Sequence, residues 1–290
     1  MKFHRDDKGQ TASTRREIAA LLDVDPDLGR HLSPVRRQTA RRELPVRIVQ
    51  LERGPWATDP AAASGAGHLG LLVVDGLVGR ELLADDVASM ELLAAGDLLR
   101  PRDEAGEFEL LQAAVRWSAL APTRLALLDC QLARRLAAYP EIYNALIERA
   151  TARSRRLAVL QAISHLTRVD RRLLTLLWHL AERWGRVTPN GVLVPLRLSH
   201  RMLGQLVGAR RPTVSSAIGA LTRAGEVSRA ADGTWLLTGS PVGTPAPQIS
   251  NFVPARRATL NRPAKRSPAV VPRPRGSSGT RRPPGNKGDA

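Results

Sequence analysis

Cysteine is nearly missing from this 290-residue chain. The single Cys130 cannot close an intramolecular disulfide or hold an iron–sulfur cluster by itself. That suits a reducing cytoplasm, with Cys130 as a small apolar core residue. Aromatic residues make up only 3% of the chain, so Leu, Val and Ala must fill the core. No window approaches 18 uncharged apolar residues, so no membrane-spanning helix is expected. The N-terminus, MKFHRDDKGQTASTRRE, has no apolar run, and no signal peptide is expected. Catalytic signatures are missing as well: there is no Gly-x-Ser-x-Gly, no phosphate-cradling Gly loop and no His-Glu-x-x-His. Asp85-Asp86 reads as a turn rather than an acid–base dyad, and Glu81 and Glu91 lack a companion base. His165, His179 and His200 have no partner at metal-ligand spacing and read as structural or solvated. Neither an enzyme nor a resident metal or cofactor is expected.

Acidic residues are scarce relative to basic ones, 27 against 44, for a net charge of +17 and a pI near 11.5. Such a charge favours polyanions, nucleic acid first and acidic membrane surfaces second. Residues 241–290 carry ten Lys or Arg against one Asp, yet the remainder is still basic. From 240 onward, proline-rich and nearly free of aromatics, the chain has too little apolar surface to offset its entropy. A disordered basic tail is expected over 240–290, and a disordered polar N-terminus over 1–16.

Between these ends the punctuation changes twice. Residues 17–22 predict a short helix ending near Asp25-Pro26-Asp27. From about 46 to 128, short apolar runs (46–51, 69–74, 77–83, 88–93, 108–115 and 125–128) are separated by Gly-rich breaks. Asp75-Gly76 between two of them predicts a hairpin. Strands at this spacing predict a closed barrel or a double-sheet roll, although 82–93 also reads as a helix. Residues 139–167 hold no Gly, and Pro140 suits a helix start. Tyr143, Leu146, Ala150, Leu157, Leu160 and Ser164 fall near an a/d stripe that Arg153 interrupts. That helix either packs on its own domain or pairs with a second copy; its place between two domains favours the pair. Residues 170–185 predict another helix, with Asp170 as N-cap and Gly185 just past its end. Residues 187–196 then alternate around a Pro189-Asn190-Gly191 turn.

The segment 198–225, LSHRMLGQLVGARRPTVSSAIGALTRAG, has helix-turn-helix spacing. Leu203, Val207, Ala209, Val214 and Ala217 are apolar where two short helices must touch. Gly204 sits where a larger side chain would push them apart, and Gly208 falls at the turn. Pro212 opens the second helix, where its missing N–H is no loss. Arg210, Arg211, Thr213, Ser215 and Ser216 cluster at that helix's positive end, where a phosphate-lined groove would need them. Runs at 226–230 and 234–238, joined by Asp232-Gly233, complete a winged-helix layout, with Arg229 on the wing.

These elements and motif residues resemble the Crp/Fnr family of bacterial transcription regulators. The likeness spans roughly 17–239 and is most specific at 198–227. LLDVDPDLGRHL is similar to the short helix before that family's roll, and LAAGDLLRP to its Gly-Asp turn. The resemblance implies a homodimer on a two-fold operator, with the roll as sensor. The family's recognition helix commonly reads Arg-Glu-Thr-Val-Ser-Arg. Here Arg211, Thr213, Val214 and Ser215 match, while Pro212 and Ser216 depart. Base reading therefore carries over to Arg211 and phosphate contact to Thr213. Losing the acidic position and the second arginine should alter operator preference. Cyclic-nucleotide binders carry a Gly-Glu segment followed by Arg-Ser or Arg-Thr. Here Gly106-Glu107 has no such sequel, Arg116-Trp117-Ser118 is a poor substitute, and cyclic-nucleotide dependence is not expected.

The expected architecture is α+β. A jelly-roll-like β-roll sensor occupies 17–138, a dimerisation helix 139–167 and a winged helix-turn-helix 168–239. The expected DNA-contacting residues are Arg210, Arg211, Pro212, Thr213, Ser215 and Ser216, with Arg197 and Arg201 on phosphates and Arg229 on the wing. Double-stranded DNA is the expected partner of a cytoplasmic homodimer; RNA polymerase and a small-molecule effector stay open as further partners. Two other classes remain open at this point. One is a non-specific nucleoid-type binder driven by the basic tail; the other is a module binding a small ligand or a partner protein.

Overall fold

Successive side chains of a strand face opposite ways, so a strand apolar at every position must be covered on both sides. Strands of this kind organise the N-terminal half. The computed structural model describes residues 17–56, 67–101 and 113–240; all of them fall within one compact unit. In chain order, β1 (Glu17–Ala20) leads into α1 (Leu21–Val24), a 3-10 turn (Pro26–Gly29) and α2 (Pro34–Glu43). Then come β2 (Pro45–Leu51), β3 (Gly54–Trp56), β4 (Gly70–Asp75), β5 (Leu77–Ala84), β6 (Val87–Ala94), β7 (Leu98–Leu99), β8 (Ala114–Ala119) and β9 (Thr123–Leu128). Three helices follow: α3 (Cys130–Leu136), the 25-residue α4 (Pro140–Ser164) and α5 (Val169–Trp184). The chain continues through β10 (Arg186–Thr188), β11 (Gly191–Val194), α6 (His200–Val207), α7 (Arg211–Arg223), β12 (Val227–Arg229) and β13 (Trp235–Leu237). The expected N-terminus 1–16, the tail beyond 240 and the Gly106-Glu107 pair lie outside the described residues.

Two antiparallel sheets, ordered β1-β2-β9-β4-β7 and β3-β8-β5-β6, make the roll. Leu71 and Val73 of β4, Leu125 and Leu127 of β9, and Val78 and Leu93 of β5 and β6 share one buried cluster with Trp56 and Trp117. The two tryptophans are cross-strand neighbours in T-shaped contact, with ring centroids 6.0 Å apart. The alternate residues Leu72, Ala126 and Leu128 face the other way, into a cluster with α1, α2, α3 and the start of α4. On the second sheet, Met90, Leu92 and Ala94 of β6 pack instead with Leu173, Leu177 and Leu203. The winged helix is therefore seated on the outer face of the roll.

Several expectations change. Residues 17–20 form a strand, not a helix, because β2 supplies a full register of partners from Glu17↔Ile48 to Ala20↔Pro45. Asp75-Gly76 joins strands of different sheets rather than a hairpin. Gly76 has φ +97°, and a Cβ there would lie 2.3 Å from Thr123 Oγ1. The real hairpin turns at Asp85-Asp86, with Ala84 opposite Val87 and Asp85 at φ 54°; a short polar side chain tolerates that conformation. The helical reading of 82–93 is thereby excluded. Cys130 is half-buried at the start of α3 rather than in the core. Asp170 lies in the first turn of α5 and pairs with Arg168, which holds the N-cap position. Gly185 is extended (φ −63°, ψ 148°) rather than left-handed. It is glycine because a Cβ would meet Ala181 O at 2.4 Å.

Helix α4 is rotated relative to the expected stripe. Leu146 is buried against the roll, and the exposed seam is Tyr143, Ile147, Ala150, Ser154 and Leu157, spaced four, three, four, three. Its other face carries Arg149, Arg153 and Arg156, also one helical stripe. Each meets a carboxylate: Asp25 accepts two hydrogen bonds from Arg149, Glu91 two from Arg153 (2.7 and 2.8 Å), and Asp97 one from Arg156. The Glu91 side chain is only 8% exposed. Glu91→Gln leaves Arg153 facing a neutral amide, and its expected cost in urea unfolding is about 2–4 kcal/mol. The double variant Glu91→Leu/Arg153→Met should recover much of that loss.

Candidate nucleic-acid interface

Helix α6 begins because Ser199 caps it, its hydroxyl accepting from Met202 N at 3.2 Å. It ends at Gly208, whose backbone is left-handed (φ 66°, ψ 44°). Ala209 N donates back to Gly204 O at 2.9 Å. A Cβ on Gly204 would lie 2.4 Å from Ala209 O, so only glycine allows the turn to close this tightly. Arg210 is the N-cap residue of α7, and Pro212 sits in its first turn. Val214, Ile218 and Leu221 then bury one side of α7 against α5 and α6. Arg211, Pro212, Thr213, Ser215 and Ser216 are left exposed.

The wing is a sheet ordered β10-β11-β13-β12. Trp235 is fully buried beneath it, and the Arg229 guanidinium stands over its ring at 5.3 Å. Arg197 and Arg229 both approach the wing turn at Gly233 (φ +84°). Asp232 accepts from Thr234 N and Oγ1 at 3.0 and 2.7 Å, and those bonds, with the Arg197 charge, hold its carboxyl below the usual range. Arg197, Arg201 and Arg229 are exposed.

Two positions differ from what the sequence suggests on its own. Ser215 and Ser216 hydroxyls bond back to Arg211 O and Pro212 O at 3.1 and 3.2 Å. Arg210 reaches toward Asp86 on the β5–β6 turn at 3.9 Å, and Gln205 donates to Glu81 of the same hairpin. The Arg210 pair is almost fully exposed and contributes little. Arg223, exposed near the end of α7, adds a cation the sequence reading passed over.

His200 is the group whose role the sequence hid. Its Nδ1 lies 2.9 Å from Ser215 Oγ, and its ring is 6.3 Å from that of Trp235. It thus ties the start of α6 to α7 and the wing. Burial, then the charges of Arg229 and Arg211, hold its pKa below the ordinary histidine value. Protonation therefore opposes folding. Stability is full above the ordinary pKa and declines as pH falls through it toward the lower folded value. On lowering pH from about 7.5 to about 5.5, the wild-type Tm should fall further than that of His200→Gln, which cannot take up the proton.

Among the described residues no helix is long and apolar enough to cross a membrane, and no cluster of His, Cys, Asp or Glu could hold a metal ion. Residues 171–237 match the Crp-like helix-turn-helix domain family. Among solved structures, a CooA variant from Carboxydothermus hydrogenoformans is 19% identical over 68% of this chain and 85% of that one, with a TM-score of 0.52. FixK2 from Bradyrhizobium japonicum is 16% identical over 67% and 93%, with a TM-score of 0.50. The c-di-GMP-responsive global regulator CLP of Xanthomonas campestris is 18% identical over 67% and 95%, with a TM-score of 0.50. No curated protein matches the chain. What is shared at these identities is the fold: an N-terminal sheet domain, a long helix and a C-terminal helix-turn-helix.

Proposed function

Because residues 171–237 are a Crp-like helix-turn-helix domain, set behind a sheet domain and a long helix as in CooA, we propose that this chain is a homodimeric, sequence-specific DNA-binding transcription regulator. In this reading 17–138 is the sensor roll, 139–167 the dimerisation helix and 168–239 the DNA-binding domain. The observation that carries it is the exposed start of α7, where Arg211, Pro212 and Thr213 stand clear of a buried Val214. Arg211 reads a guanine edge, with Thr213 and the α7 N-terminus on phosphate. Arg210, Ser215 and Ser216 border the same groove, the two serines on giving up their helix-internal bonds. Arg197, Arg201 and Arg229 hold flanking backbone.

The dimer would form along the α4 seam, where Tyr143 and Ile147 are 45% and 51% exposed in the single chain. Two such subunits would present their recognition helices to half-sites about 34 Å apart. Cyclic-nucleotide dependence is not part of this reading, because no Arg-Ser or Arg-Thr pair follows Gly106-Glu107 within the roll. The reading is of a cytoplasmic DNA-binding protein, not of an enzyme, with RNA polymerase left open as a further partner.

Selection of bound DNA from a random pool should yield a two-fold symmetric consensus. Arg211→Ala should weaken binding to that consensus by about 1–3 kcal/mol and relax preference at one position per half-site. Equal wild-type affinity for consensus and random duplex would overturn base reading and leave the tail-driven binder.

Ile147→Glu should give a monomer in sedimentation equilibrium, with operator affinity reduced at least tenfold. A persistent dimer would exclude this seam.

A further inference from the structure

A cleft of about 650 Å3 opens where the roll, α4 and α5 meet, the size of a small-metabolite site. Its lining includes four arginines: Arg30 beside the first turns, Arg149 and Arg156 of α4, and Arg183 of α5. Asp97, whose side chain is 3% exposed, is the carboxylate at its inner end. Ala94 N donates to Asp97 Oδ2 at 2.9 Å, and Arg156 donates to Oδ1. Arg183 Nη1 lies 2.8 Å from Oδ2, close enough for charge pairing, yet this buried atom makes no hydrogen bond. Trp184, which also lines the cleft, has a buried indole N–H with no acceptor.

Two features here are not those of a finished structural tie. At the inner end one buried carboxylate serves two guanidiniums, while over the whole lining four arginines face four carboxylates, Asp25, Asp27, Asp97 and Glu182. The neighbouring acids are engaged elsewhere: Asp25 with Arg149, Glu91 with Arg153, Glu182 with His179. Burial pulls the Arg156 guanidinium below its ordinary pKa; Asp97 opposes this and Arg183 adds to it. In addition, buried donors without acceptors call for a partner. An anion placed between Arg156 and Arg183 supplies those acceptors.

We propose that this cleft binds a small polyanion, a compact metabolite with two or more phosphate or carboxylate groups. One acidic head sits between Arg156 and Arg183 beside Asp97, and a second takes the place of Glu148 on the half-exposed Arg30, Arg149 keeping Asp25. Because the cleft is walled by the roll, α4 and α5, its occupant touches both the sensor and the DNA-binding half. The site goes beyond DNA recognition and is measured without DNA, so failure of either proposal leaves the other standing.

The test is thermal shift and calorimetry on the full chain with pyrophosphate and with citrate, at ionic strength held constant with sodium chloride. Saturable stabilisation is expected from at least one of the two polyanions and not from acetate. Arg183→Gln and Arg156→Gln should each weaken binding about tenfold. Asp97→Asn removes the competing carboxylate and should tighten binding several-fold, an effect opposite in sign to that of general damage. Arg211→Ala, on the DNA-binding surface, should leave binding unchanged. Should the inner variants not fold, Arg30→Gln at the exposed lip carries the same test, with a several-fold loss expected. A response equal to the salt control overturns the proposal. So does loss of binding in Arg211→Ala, which would put the anion on the DNA surface, or equal weakening by Asp97→Asn and Arg183→Gln.

Discussion

Asp97 is the carboxylate on which three parts of the molecule converge. It follows β6 on the roll, and it pairs with Arg156 from the long helix and Arg183 from the first helix of the winged domain. A buried carboxylate is tolerable only if its lone pairs are met, and here Ala94 N, Arg156 and Arg183 surround it. The same logic repeats along α4, where Arg149 and Arg153 seek Asp25 and Glu91. Three arginines on one stripe therefore set the rotation of the helix about its axis. That rotation decides which apolar residues remain outside: Tyr143, Ile147 and Leu157, free to meet another chain.

The winged domain inherits its position from this junction. Leu173 and Leu177 of α5 and Leu203 of α6 share one core with Met90 and Leu92 of β6. Gln205 and Arg210 face Glu81 and Asp86 on the β5–β6 hairpin. The base of α7 thus rests against the roll, while Arg211 and Thr213 are exposed. The roll and the winged domain therefore meet at two places, the β5–β6 hairpin against Gln205 and Arg210, and Asp97 against Arg183.

Much of the helix-turn-helix half was legible because its instructions are local. Ser199 caps, Gly204 permits contact, Gly208 turns and Pro212 restarts, all within fourteen residues of chain. The roll was legible only in class. Runs such as GLLVVD and TRLALL announce strands buried on both faces, but not which strand lies beside which. Asp75-Gly76 looks locally like a hairpin, yet β4 and β5 belong to different sheets because β9 and β8 pair with them instead. Residues 17–20 read as helical until β2 claims their hydrogen bonds. His200 read only as structural or solvated because its partners, Ser215 and Trp235, come from later elements.

The amino-acid sequence alone determined the two-helix turn, the wing and the presence of a long helix before them. Each depends on caps, glycines and apolar spacing over one or two neighbouring turns. Only the tertiary structure decided strand order, the face that α4 turns outward and the cleft ringed by arginines. Arg149 finds Asp25, Arg153 finds Glu91 and Arg156 finds Asp97 across 124, 62 and 59 residues. Pairings at such separations leave no periodic trace, because an arginine meant for a buried carboxylate is spelled the same way as one meant for water.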